Sequence, residues 1–136
     1  MPARNLLRKM VVPIALAGAM IAGPALPASA LHNPNLECGW HWWKGPWHVQ
    51  QLIRCAADLH GVNVATALRV ADCESDFRPG LYYSGNAGVY QHRIKYWPGR
   101  ADAYGFSGWS PYNGRANIFV TMRMVKVTGW SPWSCY

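Results

Sequence analysis

Two segments in the first half of the chain repeat apolar residues at helical spacing. The first begins at Pro46, a residue suited to the first turn of a helix, and stops at Gly61. The second follows Asn63, a good N-cap residue, and is ended by residues 78–80, Arg-Pro-Gly. The spacing predicts two helices, with apolar positions at Val49, Leu52, Ile53, Ala56 and Leu59 in the first and at Val64, Ala67 and Ala71 in the second.

The second half of the chain predicts a third long helix, a short helix and a small β element. Residues 115–128 carry a broad apolar face that Gly129 closes, with Ile118, Met122 and Val125 at its centre and Val120, Met124 and Val127 beside them. Pro98 is placed to open a short helix toward Tyr104. Two short runs at residues 81–83 and 89–91 flank Ser-Gly-Asn-Ala-Gly, which predicts a hairpin or a tight irregular turn. The expected fold class is mainly α, an α+β single domain with a short β-hairpin.

The N-terminal residues have the layout of a secretory signal peptide. Arg4, Arg8 and Lys9 precede an apolar stretch that leads to Ala-Ser-Ala at residues 28–30. A membrane anchor is the alternative, but prolines break the stretch and it is shorter than the roughly 20 residues that a spanning helix needs. We therefore expect a signal peptide at 1–30, an extended Trp-rich arm at 31–45 and a catalytic domain at 46–136, in a protein that is secreted, extracellular or cell-wall associated.

Charge and cysteine content narrow the expected partners. The chain has 13 Lys and Arg against 6 Asp and Glu, and three of its basic residues lie in the expected signal peptide. The remaining basic residues are scattered, which suits an anionic wall better than nucleic acid. All four cysteines lie after residue 30, so an exported chain is expected to form two disulfides. No C-x-x-C pair occurs, and His41 and His48 lack further ligands, so we expect no metal and no cofactor.

Glu74 is the candidate acid. It follows Ala67 and Ala71 on the apolar face of the second predicted helix, where burial raises the pKa of a carboxyl and keeps it protonated nearer neutral pH. Asp72 and Asp76 lie two residues to either side, about 200° around the helix, and point away from that face if the helix extends so far. Alternatively, Glu74 is a structural partner of a backbone amide or of a nearby arginine, for which Arg69, Arg78 and Arg93 are the candidates.

Three blocks of the sequence resemble a known family. Residues 71–79, Ala-Asp-Cys-Glu-Ser-Asp-Phe-Arg-Pro, are similar to the catalytic segment of lysozyme-like lytic transglycosylases, in which a helix ends in Glu-Ser followed by Phe-x-Pro. Residues 84–91 resemble the family's Gly-Leu-aromatic-or-Met-Gln stretch, with Val at position 89 where Leu is usual, and residues 117–118 resemble its Asn-Ile. Cys73-Glu74-Ser75 and the ending at 129–135 look like the compact resuscitation-promoting-factor branch.

The resemblance implies a lysozyme-like fold and a set of site residues. It implies Glu74 as general acid and then base, Ser75 as its support, and Gln91 and Asn117 as polar contacts to sugar. Tyr90 and Tyr96 match less sharply: aromatic rings can stack on sugar faces, but they are more often simply part of the core or the rim. The family's later Ala-Tyr-Asn-x-Gly segment has no counterpart after residue 117. Tyr112-Asn113-Gly114 has similar letters but precedes Asn117, so the role of the family's tyrosine is not assigned to Tyr112. The implied disulfides are Cys73–Cys135 and Cys38–Cys55.

The implied activity is cleavage of the MurNAc-GlcNAc bond of peptidoglycan by a monomer without stable membrane insertion. A single-Glu lytic transglycosylase is favoured over a lysozyme-type hydrolase, because no second carboxylate is identifiable among Glu37, Asp58, Asp72, Asp76 and Asp102. A non-catalytic wall-binding protein and a membrane-active antibacterial protein are the other candidates. The four tryptophans at positions 40, 42, 43 and 47 are expected to cap the core, with a sugar-binding or membrane-interface surface as the alternative.

Overall fold

The computed structural model describes residues 38–136, which form four α-helices and a small antiparallel sheet. The helices are α1 (Pro46–Leu59), α2 (Val64–Ser75), α3 (Trp97–Ala103) and α4 (Gly114–Thr128), and short 3-10 helices lie at Trp42–Lys44 and Ile94–Tyr96. The predicted α+β fold is thereby confirmed. The expected signal peptide and residues 31–37 of the arm lie outside the described residues.

The helix starts follow the predicted signals. Pro46 occupies the first turn of α1, and the side chain of Asn63 caps α2 by accepting a hydrogen bond of 2.9 Å from the Thr66 amide. The predicted short helix is α3, with Pro98 in its first turn. Helix α2 ends at Ser75, before the predicted Arg-Pro-Gly signal, because Asp76 adopts a left-handed conformation.

The core forms where α1 packs against α2 and α4. Helix α4 lies at its centre and is buried on all sides from Gly114 to Met122, so its apolar face is wider than an amphipathic pattern requires. Two predicted core positions are wrong: Leu59 is 53% exposed and Val127 is 74% exposed. Both lie in the last turn of their helices.

The sheet has three strands in the order β1-β2-β3, at Tyr82–Tyr83, Asn86–Ala87 and His92–Arg93. Tyr82 pairs with Ala87, and Ala87 pairs with His92. The predicted hairpin is present as β1-β2, but the run 89–91, predicted as its second strand, is a turn between β2 and β3. Gly88 and Gln91 both have positive φ there, which bends the chain out of an extended conformation.

Two disulfides join distant parts of the chain, with the pairing implied by the resemblance. Cys38 is bonded to Cys55 of α1, and Cys73 of α2 is bonded to Cys135. The first ties the arm to the helical core, where Arg115 also donates a 2.7 Å hydrogen bond to the carbonyl oxygen of Cys38. The second ties the C-terminal segment to the end of α2, beside the candidate acid.

Candidate functional site

Glu74 lies in the last turn of α2, at the point where the chain changes direction. Ser75 ends the helix, and Asp76 and Phe77 both adopt left-handed conformations with φ of 54° and 57°. Ser75 is buried, and its hydroxyl donates a 2.7 Å hydrogen bond to the carbonyl oxygen of Val89. The end of α2 is thereby attached to the turn between β2 and β3, which fixes Glu74 relative to the sheet.

The Glu74 carboxyl is half-buried, and its pKa is raised from the ordinary value of 4.5. Desolvation by the surrounding protein is the main cause, because burial disfavours the charged form. A hydrogen bond with the backbone amide of Cys135 opposes it and lowers the pKa in part. Glu74 therefore retains its proton to a higher pH than a free glutamate, which is a property that a general acid needs.

Glu74 opens into a cleft of about 450 Å³, called here the Glu74 cleft. One wall is the C-terminal segment Pro132, Trp133 and Ser134, and the other side consists of Asn86, Gln91, Arg93, Tyr96 and Arg100. Trp133 is buried and its indole N–H donates a 2.8 Å hydrogen bond to the carbonyl oxygen of Tyr90. This bond and the Cys73–Cys135 disulfide hold the C-terminal wall against the rest of the site.

Gln91 and Tyr96 are two of the predicted substrate contacts, and both line the Glu74 cleft. The Gln91 amide nitrogen donates to the carbonyl oxygens of Leu81, at 3.1 Å, and Gly88, at 2.9 Å. Its buried Oε1 has no hydrogen-bond partner within residues 38–136, so it retains the capacity to accept a hydrogen bond. Tyr96 is 51% exposed and offers a ring face and a hydroxyl.

Three of the predicted site residues, Ser75, Tyr90 and Asn117, form structural hydrogen bonds, which suits the supporting role expected for Ser75 but not the sugar contact expected for Asn117. None lines the Glu74 cleft, and all three are buried. Tyr90 is completely buried and its hydroxyl donates to the carbonyl oxygen of Ala67 at 2.9 Å. The Asn117 side chain accepts from the Tyr90 amide at 2.9 Å and donates to the carbonyl oxygen of Pro111 at 2.9 Å. These residues attach α2 and α4 to the β2-β3 turn.

Arg100 and His92 were not singled out by the sequence, yet they connect the cleft to the core. The Arg100 guanidinium lies 2.8 Å from His92 Nδ1, and His92 Nε2 lies 2.7 Å from the Thr121 hydroxyl oxygen. Since arginine only donates, Nδ1 accepts and the proton of neutral His92 is on Nε2, which donates to Thr121. The Thr121 hydroxyl in turn donates to the Asn117 carbonyl oxygen at 2.7 Å.

The charge state of His92 follows from its burial. Desolvation lowers the pKa of this buried histidine from 6.5 to about 3, with a smaller contribution from the positive charge of Arg100. His92 is therefore neutral at physiological pH and acts as a fixed acceptor for Arg100. No sequence signal distinguishes this pair, because the His92–Arg100 contact depends on how α3 packs beside β3.

Glu74 is the one acidic side chain among the described residues that line the Glu74 cleft. Asp72 is exposed on α2, as expected from its position on the helix. Asp76, whose direction the sequence left open, is exposed at the left-handed position after α2. Glu37 lies outside the described residues.

Of the four tryptophans in and directly after the Trp-rich arm, one covers the core. Trp42 is half-buried and packs against the core, where its ring leaves no room for a side chain at Gly114. Trp40, Trp43 and Trp47 are 37%, 64% and 56% exposed. The expectation that the arm's tryptophans cap the core is therefore right for Trp42 and wrong for the other three, which remain in contact with solvent.

Within residues 38–136, no group of three or more His, Cys, Asp or Glu side chains is arranged to hold a metal ion. The same part of the chain contains no helix that is long and apolar enough to cross a membrane. Comparisons with known proteins find no matching family model, curated relative or solved structure.

Proposed function

We propose that this chain is a secreted peptidoglycan-cleaving glycosidase of the lysozyme-like lytic transglycosylase type, which acts on the MurNAc-GlcNAc bond with Glu74 as its single acid/base. The observation that carries the proposal is the half-buried Glu74, with a raised pKa, in a cleft of about 450 Å³. The motifs around residues 71–79 and 84–91 resemble the sequence setting of the catalytic acid in that family.

The proposed reaction uses Glu74 twice. The protonated carboxyl donates its proton to the glycosidic oxygen, and the bond between this oxygen and the anomeric carbon breaks. The resulting carboxylate then accepts the proton of the substrate's own 6-hydroxyl, whose oxygen bonds to the anomeric carbon and closes a 1,6-anhydro ring. Glu74 ends the cycle protonated, and no water is consumed.

The absence of a second acid from the described lining of the cleft favours this route over hydrolysis. Two-carboxylate hydrolysis places a partner within roughly 5 to 9.5 Å of the acid, to attack the sugar or to activate water. Asp72 and Asp76 are exposed and lie outside the lining of the Glu74 cleft. The two disulfides are compatible with the secreted location that the signal peptide predicts.

The test is wall digestion by the purified protein and by Glu74→Gln, with mass spectrometry of the soluble fragments. We expect anhydro-ended fragments from the parent protein and a loss of release of at least roughly 10²-fold in the variant. Reducing ends would indicate a lysozyme-type hydrolase instead. Asp72→Asn and Asp76→Asn are the matched controls, because both change an exposed carboxylate near Glu74 and should retain full release.

The two non-enzymatic alternatives give different results with the same protein. A wall-binding module would release no fragments, and its binding to insoluble wall would be unchanged by Glu74→Gln. A membrane-active protein would release the contents of anionic vesicles. Equal fragment release by Glu74→Gln and by its parent would exclude Glu74 as the acid.

A further inference from the structure

Two arginines face the Glu74 cleft together with the candidate acid. Arg93 lies on β3 and is exposed, and Arg100 lies on α3 and is half-buried. Neither forms an ion pair with a carboxylate of the described residues: only tyrosines raise the pKa of Arg100, and Glu74 owes its own shift to burial and to the Cys135 amide. The cleft therefore has an excess of positive charge that the protein itself does not neutralise.

Arg100 is oriented before any ligand arrives. One of its terminal nitrogens donates to His92 Nδ1 at 2.8 Å, and the guanidinium carbon lies 5.7 Å from the centre of the Tyr96 ring. The neutral His92 is itself held by Thr121, so the acceptor cannot turn away. A guanidinium carries five N–H donors, and no other acceptor within residues 38–136 binds this one.

Partial burial destabilises the charged guanidinium of Arg100 unless a bound anion compensates its charge. Desolvation lowers the pKa of Arg100, which means that the surrounding protein disfavours its charge. Carboxylates and phosphates both match two parallel N–H donors of a planar guanidinium, and the peptide-bearing glycan of the proposed substrate supplies carboxylates. A neutral sugar would supply only hydroxyl acceptors and would leave the charge uncompensated.

The geometry points to Arg100 as the residue that recognises a carboxylate of the substrate, assisted by the charge of Arg93, so that the Glu74 cleft prefers glycan bearing free carboxylates over the same glycan with its carboxylates masked. This inference rests on the proposed function, since it takes the ligand to be wall glycan. In wall fragments the carboxylates are those of the peptide stem, or of the lactyl group where the stem has been removed.

The test is a binding measurement with the Glu74→Gln protein, which does not consume its ligand. The probes are soluble disaccharide-peptides, released from wall by an independent muramidase and used either unmodified or with their carboxylates amidated by carbodiimide and ammonia. We expect amidation to weaken binding roughly 10- to 100-fold, the range of a charge-assisted hydrogen-bonded pair. This difference should shrink as salt is raised.

The same titration with Arg100→Gln added should give equally weak binding of both probes. Arg100→Lys keeps the charge and one donor but loses the planar fork, so it should retain part of the preference. Arg69→Gln removes an arginine of α2 that does not line the cleft, and it should retain the full preference. Melting curves establish that each variant is folded, and if Arg100→Gln is not, Arg100→Lys decides the matter.

Equal binding of the two probes by the parent, or a preference that survives Arg100→Gln, would overturn the assignment. These outcomes are separable from failure of the proposed function. Wall digestion that is indifferent to amidation would reject the carboxylate site alone, whereas a carboxylate preference in a protein that releases no fragments would reject the glycosidase alone.

Discussion

The backbone amide of Cys135 hydrogen-bonds with the Glu74 carboxyl, and Cys135 is disulfide-bonded to Cys73, the residue directly before Glu74. The acid and the donor that stabilises its charged form are thus tied together by a covalent bond. Because this hydrogen bond lowers the pKa that burial raises, we expect the Cys73–Cys135 disulfide to influence the pKa of Glu74 as well as the stability of the domain.

Removal of that disulfide by replacing Cys73 and Cys135 with Ala should therefore have two effects. The free energy of unfolding should fall by about 4 kcal/mol, since the bridge spans 62 positions. The alkaline limb of the activity profile should move to higher pH, because the Cys135 amide is no longer held at the carboxyl. Denaturant unfolding and a pH profile of fragment release measure the two effects.

The Cys38–Cys55 pair is the matched control for this experiment. Its two cysteines are 17 positions apart, so their replacement by Ala should lower the free energy of unfolding by about 3 kcal/mol. It does not contact Glu74, and the pH profile should stay in place. Equal shifts of the profile in both double variants would show that loosening of the whole fold, rather than the Cys135 amide, moves the pKa.

Glu74→Gln should be more stable than the parent at neutral pH. A carboxyl whose pKa is raised in the folded state contributes stability below its unfolded pKa of 4.5, and this contribution is lost as the pH rises through the folded pKa. The neutral amide of the variant removes the cost of burying a charge. The Tm of Glu74→Gln should therefore exceed that of the parent at pH 7, and the two should be equal below pH 4.5. Calorimetry across this range checks it; a lower Tm at pH 7 would mean that the carboxylate is a structural partner.

His92 should make the fold sensitive to acid. Its pKa is about 3 when folded and 6.5 as a free side chain, so the unfolded chain binds the proton more tightly and acid favours unfolding. Between pH 6.5 and pH 5 the loss should be about 2 kcal/mol. Unfolding is measured in the Glu74→Gln background, because the raised pKa of the Glu74 carboxyl would make its own contribution to stability increase as the pH falls.

Two variants form the matched pair for this measurement. His92→Gln should reduce the dependence of the free energy of unfolding on pH. His41→Gln changes an exposed histidine of the arm and should leave that dependence unchanged. An unaltered slope in His92→Gln would assign the acid sensitivity to another group.

Gly88→Ala should be strongly destabilising. Gly88 has a φ of 80°, and an added Cβ would lie closer than 3.0 Å to Asn117 Nδ2 and to the carbonyl oxygen of Pro111. The expected loss is about 3 kcal/mol, from strain and from disruption of the Asn117 hydrogen bonds. Gly85 has a similar φ of 82° but open space around it, so Gly85→Ala should cost only about 1 kcal/mol. Similar losses in the two variants would mean that the contact with Asn117 is unimportant.

Trp42→Ala should cost about 2 kcal/mol, because this ring packs against the core over Gly114. Trp43→Ala and Trp47→Ala remove exposed rings and should each change stability by less than about 0.5 kcal/mol. Chemical denaturation of the three variants compares them directly. Comparable losses at all three positions would restore the interpretation that the whole arm caps the core.

The sequence by itself determined the features that depend on neighbouring residues. The proline at position 46, the N-cap Asn63, the 3.6-residue spacing of the apolar positions and the glycine after residue 128 specify helices without reference to the rest of the chain. The place of Glu74 near the end of α2 follows from the same local pattern. The resemblance, not the spacing, supplied the disulfide pairing.

Only the tertiary structure decided which side chains meet at the Glu74 cleft. Arg100 reaches it because α3 packs against α4, and Trp133 reaches it because the C-terminal segment is tied to α2 by the Cys73–Cys135 disulfide. Tyr90 and Asn117 are instead held in the core by hydrogen bonds between distant elements. A motif read along the chain records residue type and order, but not the direction of a side chain at a positive-φ turn such as residues 88–91. The long-range packing of α2, α4 and the sheet sets those directions, and with them the division between site and core.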